Sequence, residues 1–242
     1  MIRSSTVPKS CLALPILFAA ACGSSDDPSA AVMDIAVREV VDQSKFSQYL
    51  PKLVELTAKQ SGYVTNREFL SFYALAPDPM PKNPVRMGLT QWKSVDSYTA
   101  AAGAIVADPV FTSYFPSVKG YASVLVKPYA GGQNVDVANI IGAGQVLEVA
   151  IRDLSKISDR SAFFAAKDGF VKILTSAKGV VREYEWVSAA PGMDYYVGMT
   201  VYESQAAFTA VSSDPKITAS PEAAKYFMNY PPQVAQITTA AP

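Results

Sequence analysis

Two arginines stand where a strand should carry apolar side chains, and they stand at matching places. Arg38 interrupts Ile35-Ala36-Val37-Arg38-Glu39-Val40, and Arg152 interrupts Val149-Ala150-Ile151-Arg152-Asp153-Leu154, 114 positions later. A guanidinium that faces a protein interior needs a partner or an anionic ligand, because burying it unpaired costs several kcal/mol. Two such groups could bind a carboxylate or polarise a phenolate or enolate oxygen. The alternative is cross-strand pairing with an acid, Glu68 for one and Glu185 for the other. Trp92, Trp186, Tyr63, Tyr73, Tyr184, Tyr195, Tyr196 and Tyr202 bring aromatic rings close to the expected sheets. They either line a pocket for a flat apolar molecule or fill a core. The candidate catalytic residues are Arg38, Trp92, Arg152 and Glu68, and the candidate ligand-binding residues are Trp92, Tyr63, Trp186, Tyr202 and Tyr195. A general base would have to be Glu68, Glu185 or a tyrosine with a lowered pKa. Asp194, Tyr195 and Tyr196 lie beside a loop and would border a pocket mouth.

Composition removes whole classes of chemistry. The chain of 242 residues has no histidine and two cysteines, Cys11 and Cys22. Histidine triads, histidine haem ligation and the common zinc sites are therefore excluded, and no metal site or cofactor is expected. The 21 basic and 21 acidic side chains balance. A near-neutral surface argues against a nucleic-acid partner.

The matching arginines belong to a longer repeat. Thr90-Gln91-Trp92-Lys93-Ser94 is echoed by Thr200-Val201-Tyr202-Glu203-Ser204 at an offset of 110, and Gly62-Tyr63-Val64 by Gly179-Val180-Val181 at 117. A period this long implies two copies of one small domain. The change in offset places about seven extra residues in the first copy, in the proline-rich stretch from Ala76 to Pro84, because insertions settle in surface loops.

Each copy reads as βαββαβ. In the first, strands are expected at Met33 to Val41, Tyr63 to Ala74, Val85 to Lys93 and Ala122 to Val126. Helices are expected after Asp42, at Val95 to Ile105 and at Pro109 to Phe115. In the second, strands fall near Val146 to Leu154, Gly179 to Val187, Tyr195 to Glu203 and Pro232 to Thr238. Its helices fall near Arg160 to Ala177, Gln205 to Val211 and Pro221 to Asn229. This is the order of a ferredoxin-like sheet with helices on one face. The other face of each sheet is apolar, and two such faces in one chain can bury each other. The fold class is thus α+β, with two tandem ferredoxin-like repeats packed sheet to sheet as a closed, eight-stranded barrel with helices outside. The expected divisions are residues 32–127 for the first repeat, 128–145 for a linker rich in glycine and small polar residues, and 146–242 for the second repeat.

The N-terminus reads as an address, not as fold. Arg3 and Lys9 precede the apolar run Cys11 to Ala21, which is short for a membrane span and suited to a secretory signal over residues 1–21. Ala19-Ala20-Ala21-Cys22-Gly23 resembles a bacterial lipobox, which would make Cys22 the lipidated N-terminus of the mature chain. Residues 22–31 would be a small polar tether. Loss of Arg3 and Lys9 leaves a mature net charge of −2. The expected location is the bacterial cell envelope, on the periplasmic face of the outer membrane or at the cell surface, with the membrane as partner through the lipid.

Gln91-Trp92-Lys93-Ser94-Val95-Asp96-Ser97-Tyr98, followed by Asp108-Pro109-Val110-Phe111, resembles the dimeric α/β-barrel superfamily and within it the antibiotic-biosynthesis-monooxygenase-like (ABM) domains. The second copy carries Val201-Tyr202-Glu203-Ser204 and Asp214-Pro215-Lys216-Ile217 at the same places. The resemblance implies that one chain supplies both partners of a homodimer, a monomeric pseudo-dimer. It also implies cofactor-independent oxygenase or haem-degrading relatives. The haem-degrading histidine would fall near Ala101 or Ala102 and near Val211, which argues against haem degradation here. Three readings stay open. One is binding of a small apolar or aromatic ligand between the two sheets. The second is cofactor-independent monooxygenation of an aromatic or polyketide-like substrate. The third is a non-catalytic structural or interaction module with a filled barrel. A single site is expected in the first half, which keeps the tryptophan.

Overall fold

The computed structural model describes residues 31–76, 80–130 and 135–241. The signal, Cys22, nearly all of the tether and residues 77–79 of the proline loop lie outside the described residues. The elements are β1 (Val32–Val40), α1 (Gln43–Ala58), β2 (Tyr63–Ala76), β3 (Val85–Trp92), α2 (Val95–Ala107), α3 (Pro109–Tyr114) and β4 (Val118–Pro128). They are followed by β5 (Val146–Asp153), α4 (Arg160–Thr175), β6 (Val180–Ser188), β7 (Tyr195–Tyr202), α5 (Gln205–Ser213), α6 (Pro215–Thr218), α7 (Pro221–Asn229) and β8 (Val234–Ala240).

The helices begin where short polar side chains can satisfy free backbone N–H groups. Asp42, Ser94, Asp159, Ser204 and Ser220 each accept from the N–H three residues on, and Asp108 and Asp214 from the N–H two residues on. After α1 and α4 the chain turns back into a strand through Gly62 and Gly179, at φ +82° and +95°. A Cβ at Gly62 would lie 2.3 Å from the Ser97 side chain and one at Gly179 2.8 Å from Ala207, so both turns also sit hard against the following helix.

All eight strands close into one antiparallel barrel in the order β1-β3-β2-β8-β5-β7-β6-β4. It contains two runs, β4-β1-β3-β2 and β8-β5-β7-β6, joined edge to edge by β2 with β8 and β4 with β6. The first seam runs from Phe69 opposite Ala240 to Ala76 opposite Ala235, whereas the second spans only Val126 to Pro128 against Ser188 to Trp186. Closure removes the free strand edges that an open sheet would present.

Strand alternation sorts the side chains. Met33, Ile35 and Val37 point into the barrel with Met87, Leu89, Val149, Ile151, Val197 and Met199, and they form its continuous core. The segment 128–145, expected only to cross between halves, adds to that core. Val135, Val137, Ile140 and Ile141 are buried in it. The segment is pinned by Arg67, whose Nη1 donates to the carbonyls of Ala138 and Ile141 at 2.8 Å. It is a plug as well as a connection.

Candidate functional site

The even-numbered residues of β1 and their partners face the helices, and register arranges them in rows. Across β1, β3 and β2 the rows are Val32/Trp92/Tyr63, Asp34/Thr90/Asn66, Ala36/Gly88/Glu68 and Arg38/Arg86/Leu70. Across β5, β7 and β6 they are Val146/Tyr202/Val180, Glu148/Thr200/Glu183, Ala150/Gly198/Glu185 and Arg152/Tyr196/Val187. The offsets of 114, 110 and 117 seen in the sequence are those that bring these rows into correspondence. Both arginines therefore lie under the helices and not in the barrel.

In the first half this layer holds an ion pair and an aromatic cluster. Arg38 Nη2 donates to both oxygens of Glu68 at 2.7 Å, and its guanidinium lies 5.8 Å from the Phe46 ring and 6.0 Å from that of Tyr114. The ion pair sits over Gly88, where an added Cβ would meet Glu68 Oε1 at 2.8 Å and Arg38 Nη1 at 3.0 Å. Trp92 is packed edge-on between Tyr63 and Tyr98, at ring distances of 6.1 and 6.0 Å. Asp34 is half-buried beside this cluster. Burial pushes its pKa up to about 7 in spite of the nearby Arg38 charge.

In the second half the equivalent ion pair does not form. Glu185 accepts instead from Lys167 of α4 and, at 2.7 Å, from the Tyr196 hydroxyl. Arg152 donates from Nε to the Tyr230 carbonyl at 2.8 Å and lies 4.2 Å from the Tyr226 ring. With both side chains drawn aside, the space over Ala150, Gly198 and Thr200 stays open. It is a cavity of about 620 Å³, within the ordinary range for small-molecule sites.

The walls of this cavity are mainly apolar, with Gln205, Thr209 and Ser212 among them, and its floor is acidic. Phe170 and Leu174 of α4, Phe208 and Val211 of α5, and Tyr226 and Phe227 of α7 enclose it, and Phe72 and Tyr73 of β2 reach it across the seam. Glu148 and Glu183 form the floor on either side of Thr200. The Tyr202 hydroxyl donates to Glu148 Oε2 at 2.7 Å, and the Thr200 hydroxyl to Glu183 Oε2. Among the described residues no hydrogen bond reaches Oε1 of either carboxylate. Burial raises the pKa of both, that of Glu183 to about 8 against the hydrogen bond from Thr200 and with the Glu148 charge adding to the rise. The floor can thus hold a proton near neutral pH. It can donate or accept it in a cleft walled mainly by apolar side chains.

The structure scatters the residues proposed from sequence. Arg38, Glu68, Trp92 and Tyr63 lie in the packed outer layer of the first half, whereas Trp186 faces the barrel core and Tyr195 packs against it. Of the candidate catalytic and ligand-binding residues Arg152 and Tyr202 line the cavity, joined by Tyr73 from the wider set of aromatic rings. Apolar side chains and the plug are packed between the two sheets, where the sequence placed a ligand, and the cavity described here lies instead between a sheet and its helices. The cavity lies in the second half and not in the half that keeps the tryptophan, where the Arg38 and Glu68 pair and the Trp92 cluster stand at the matching positions. Glu148 and Glu183 were missed. A sequence signal existed for Glu148, an acid inside the apolar run Val146-Leu147-Glu148-Val149, 114 positions after Asp34 in a similar run. No group of three or more acidic, histidine or cysteine side chains placed to hold a metal occurs among the described residues.

No family model matches the chain, and no curated protein matches it. Solved structures do. An anthrone oxidase-like protein superposes with a TM-score of 0.55 at 11% identity, over 87% of this chain and 92% of that one. A variant chlorite dismutase of Candidatus Nitrospira defluvii does so with 0.54 at 10%, over 89% and 92%. A protein of Fusobacterium nucleatum provisionally assigned as a monooxygenase gives 0.50 at 9%, over 88% and 93%. At these identities the likeness is one of fold. It is compatible with the α+β barrel expected from the dimeric α/β-barrel resemblance.

Proposed function

We propose that this protein binds a small, largely apolar molecule in the cavity between β5, β7 and β6 and the helices α4, α5 and α7. The observation that carries the reading is the combination of mainly apolar walls with two cavity-facing carboxylates, each keeping one oxygen without a protein donor. A ligand there buries its body against rings and meets Glu148 and Glu183 with a polar end. In this reading the chain is a duplicated ABM-like unit acting as a monomeric pseudo-dimer. It is held in the bacterial envelope by lipid on Cys22. The corresponding rows of the two halves support the duplication, and the lipobox-like sequence supports the anchor. Titration of the full chain with an environment-sensitive naphthyl fluorophore tests the binding. Saturable emission enhancement is expected, lost in Ala150→Leu, which fills the space over the sheet. Equal enhancement in that variant would contradict the site.

The raised pKa of Glu183 favours a second reading, cofactor-independent monooxygenation. A carboxylate poised near neutral pH in a cleft walled mainly by apolar side chains can take a proton from an acidic C–H or phenol, and the resulting anion can reduce dioxygen. Oxygen uptake with anthrone or quinol substrates, abolished by Glu183→Gln, is the expected result. Binding without uptake across such a panel would remove it.

A further inference from the structure

The two halves place different charges at the same positions of their sheets. The row Asp34/Thr90/Asn66 has one carboxylate, and Asn66 is engaged by the Tyr63 hydroxyl at 2.8 Å. The corresponding row Glu148/Thr200/Glu183 has two, and it is the row that floors the cavity. A second carboxylate in a buried row is costly unless something positive or proton-donating compensates it.

Arg152 is the one basic residue among those lining the cavity, and although its charge acts on both Glu148 and Glu183, its Nε donates to the Tyr230 carbonyl and not to either acid. Its face lies on Tyr226. Lys167 is turned to Glu185 and Asp168. The walls bring the rings of Phe170 and Phe208 to an apolar body, while Tyr226 is stacked on Phe170 and already carries the Arg152 guanidinium.

We infer that the cavity is selective for amphiphilic amines, with an ammonium group seated between the free oxygens of Glu148 and Glu183 and an aromatic or alkyl body against the rings. This rests on the binding reading above and adds the ligand class to it. An ammonium supplies up to three donors, which suits two carboxylates that each lack one. Seating it favours the ionised form of Glu183, which burial otherwise holds toward the protonated form. Binding therefore releases protons.

Three probes of one shape separate the possibilities: 2-(2-naphthyl)ethylammonium, the neutral 2-(2-naphthyl)ethanol and the anionic 2-naphthylacetate. Isothermal titration of the full chain at pH 7, in two buffers of different ionisation enthalpy, is expected to show the amine binding at least about tenfold more tightly than either analogue, with proton release. Glu183→Gln, which keeps size and the Thr200 hydrogen bond, should reduce the preference for amine over alcohol to less than about threefold. If the alcohol binds as tightly as the amine, or the carboxylate binds best, the amine assignment is overturned while the cavity reading stands. If none of the three binds, the cavity reading falls and the assignment with it.

Discussion

At the scale of single residues, the protein holds its unusual groups in the layer between strands and helices, and titration should expose them. Asp34 and Glu183 are half-buried, and desolvation raises their pKa values to about 7 and about 8. In the unfolded chain both carboxyls lose their protons near pH 4. Between about pH 5 and pH 8 the native state therefore binds more protons than the unfolded state, and stability must fall as pH rises through that window. Denaturant unfolding should show the protein more stable at pH 5.5 than at pH 8 by about 2 to 4 kcal/mol, with the slope reduced in Asp34→Asn and in Glu183→Gln. The charges that act on Glu183 are those of Glu148, Glu185 and Arg152. Glycines give a paired test of the same layer. Gly88→Ala would push a methyl into the Arg38 and Glu68 pair and should cost about 1 to 3 kcal/mol. Gly103→Ala, in α2 with nothing within 4 Å, should gain about 0.5 to 1 kcal/mol. Thermal melts of the two variants should shift in opposite directions.

At the scale of elements, much was legible in the sequence, because its signals are local. Side-chain caps mark where helices start, period-2 runs mark strands, and Gly62 and Gly179 mark the returns. Thus β3 and β7, α2 and α4 fall within two residues of expectation. The face to which Arg38 and Arg152 belong was not legible. Both faces of these strands are covered, one by the opposite strands and one by helices, so apolar neighbours do not tell them apart. The cavity was hidden for a related reason. It follows from Glu185 choosing Lys167 and Arg152 choosing Tyr230, which are contacts between residues far apart in the chain. The plug was hidden because Val135, Val137, Ile140 and Ile141 are interspersed with glycine and polar residues and show no regular period. The plug nevertheless belongs to the folded core. Hydrogen exchange should protect the amides around residues 137–141 above the level of an ordinary linker. Ile140→Ala and Ile141→Ala should each cost about 2 to 5 kcal/mol in denaturant unfolding, where a free spacer would show no change.

At the scale of the whole molecule, one chain closes a barrel from two four-strand runs, and its halves differ in use. The first half fills its sheet-to-helix layer with an ion pair and a tryptophan cluster. The second keeps that layer open over two acids. The proposed function places ligand binding in the second half, beneath α5 and α7, and neither in the barrel interior nor in the neighbourhood of Trp92. Amide chemical-shift mapping with 2-(2-naphthyl)ethylammonium tests this most directly. The predicted result is saturable shifts at residues 148–152, 183, 198–202, 205–211 and 226–227, with those at 63, 90–98 and 137–141 unmoved. Shifts centred on Trp92 and Tyr98, or on the barrel core around Met87 and Met199, would contradict it.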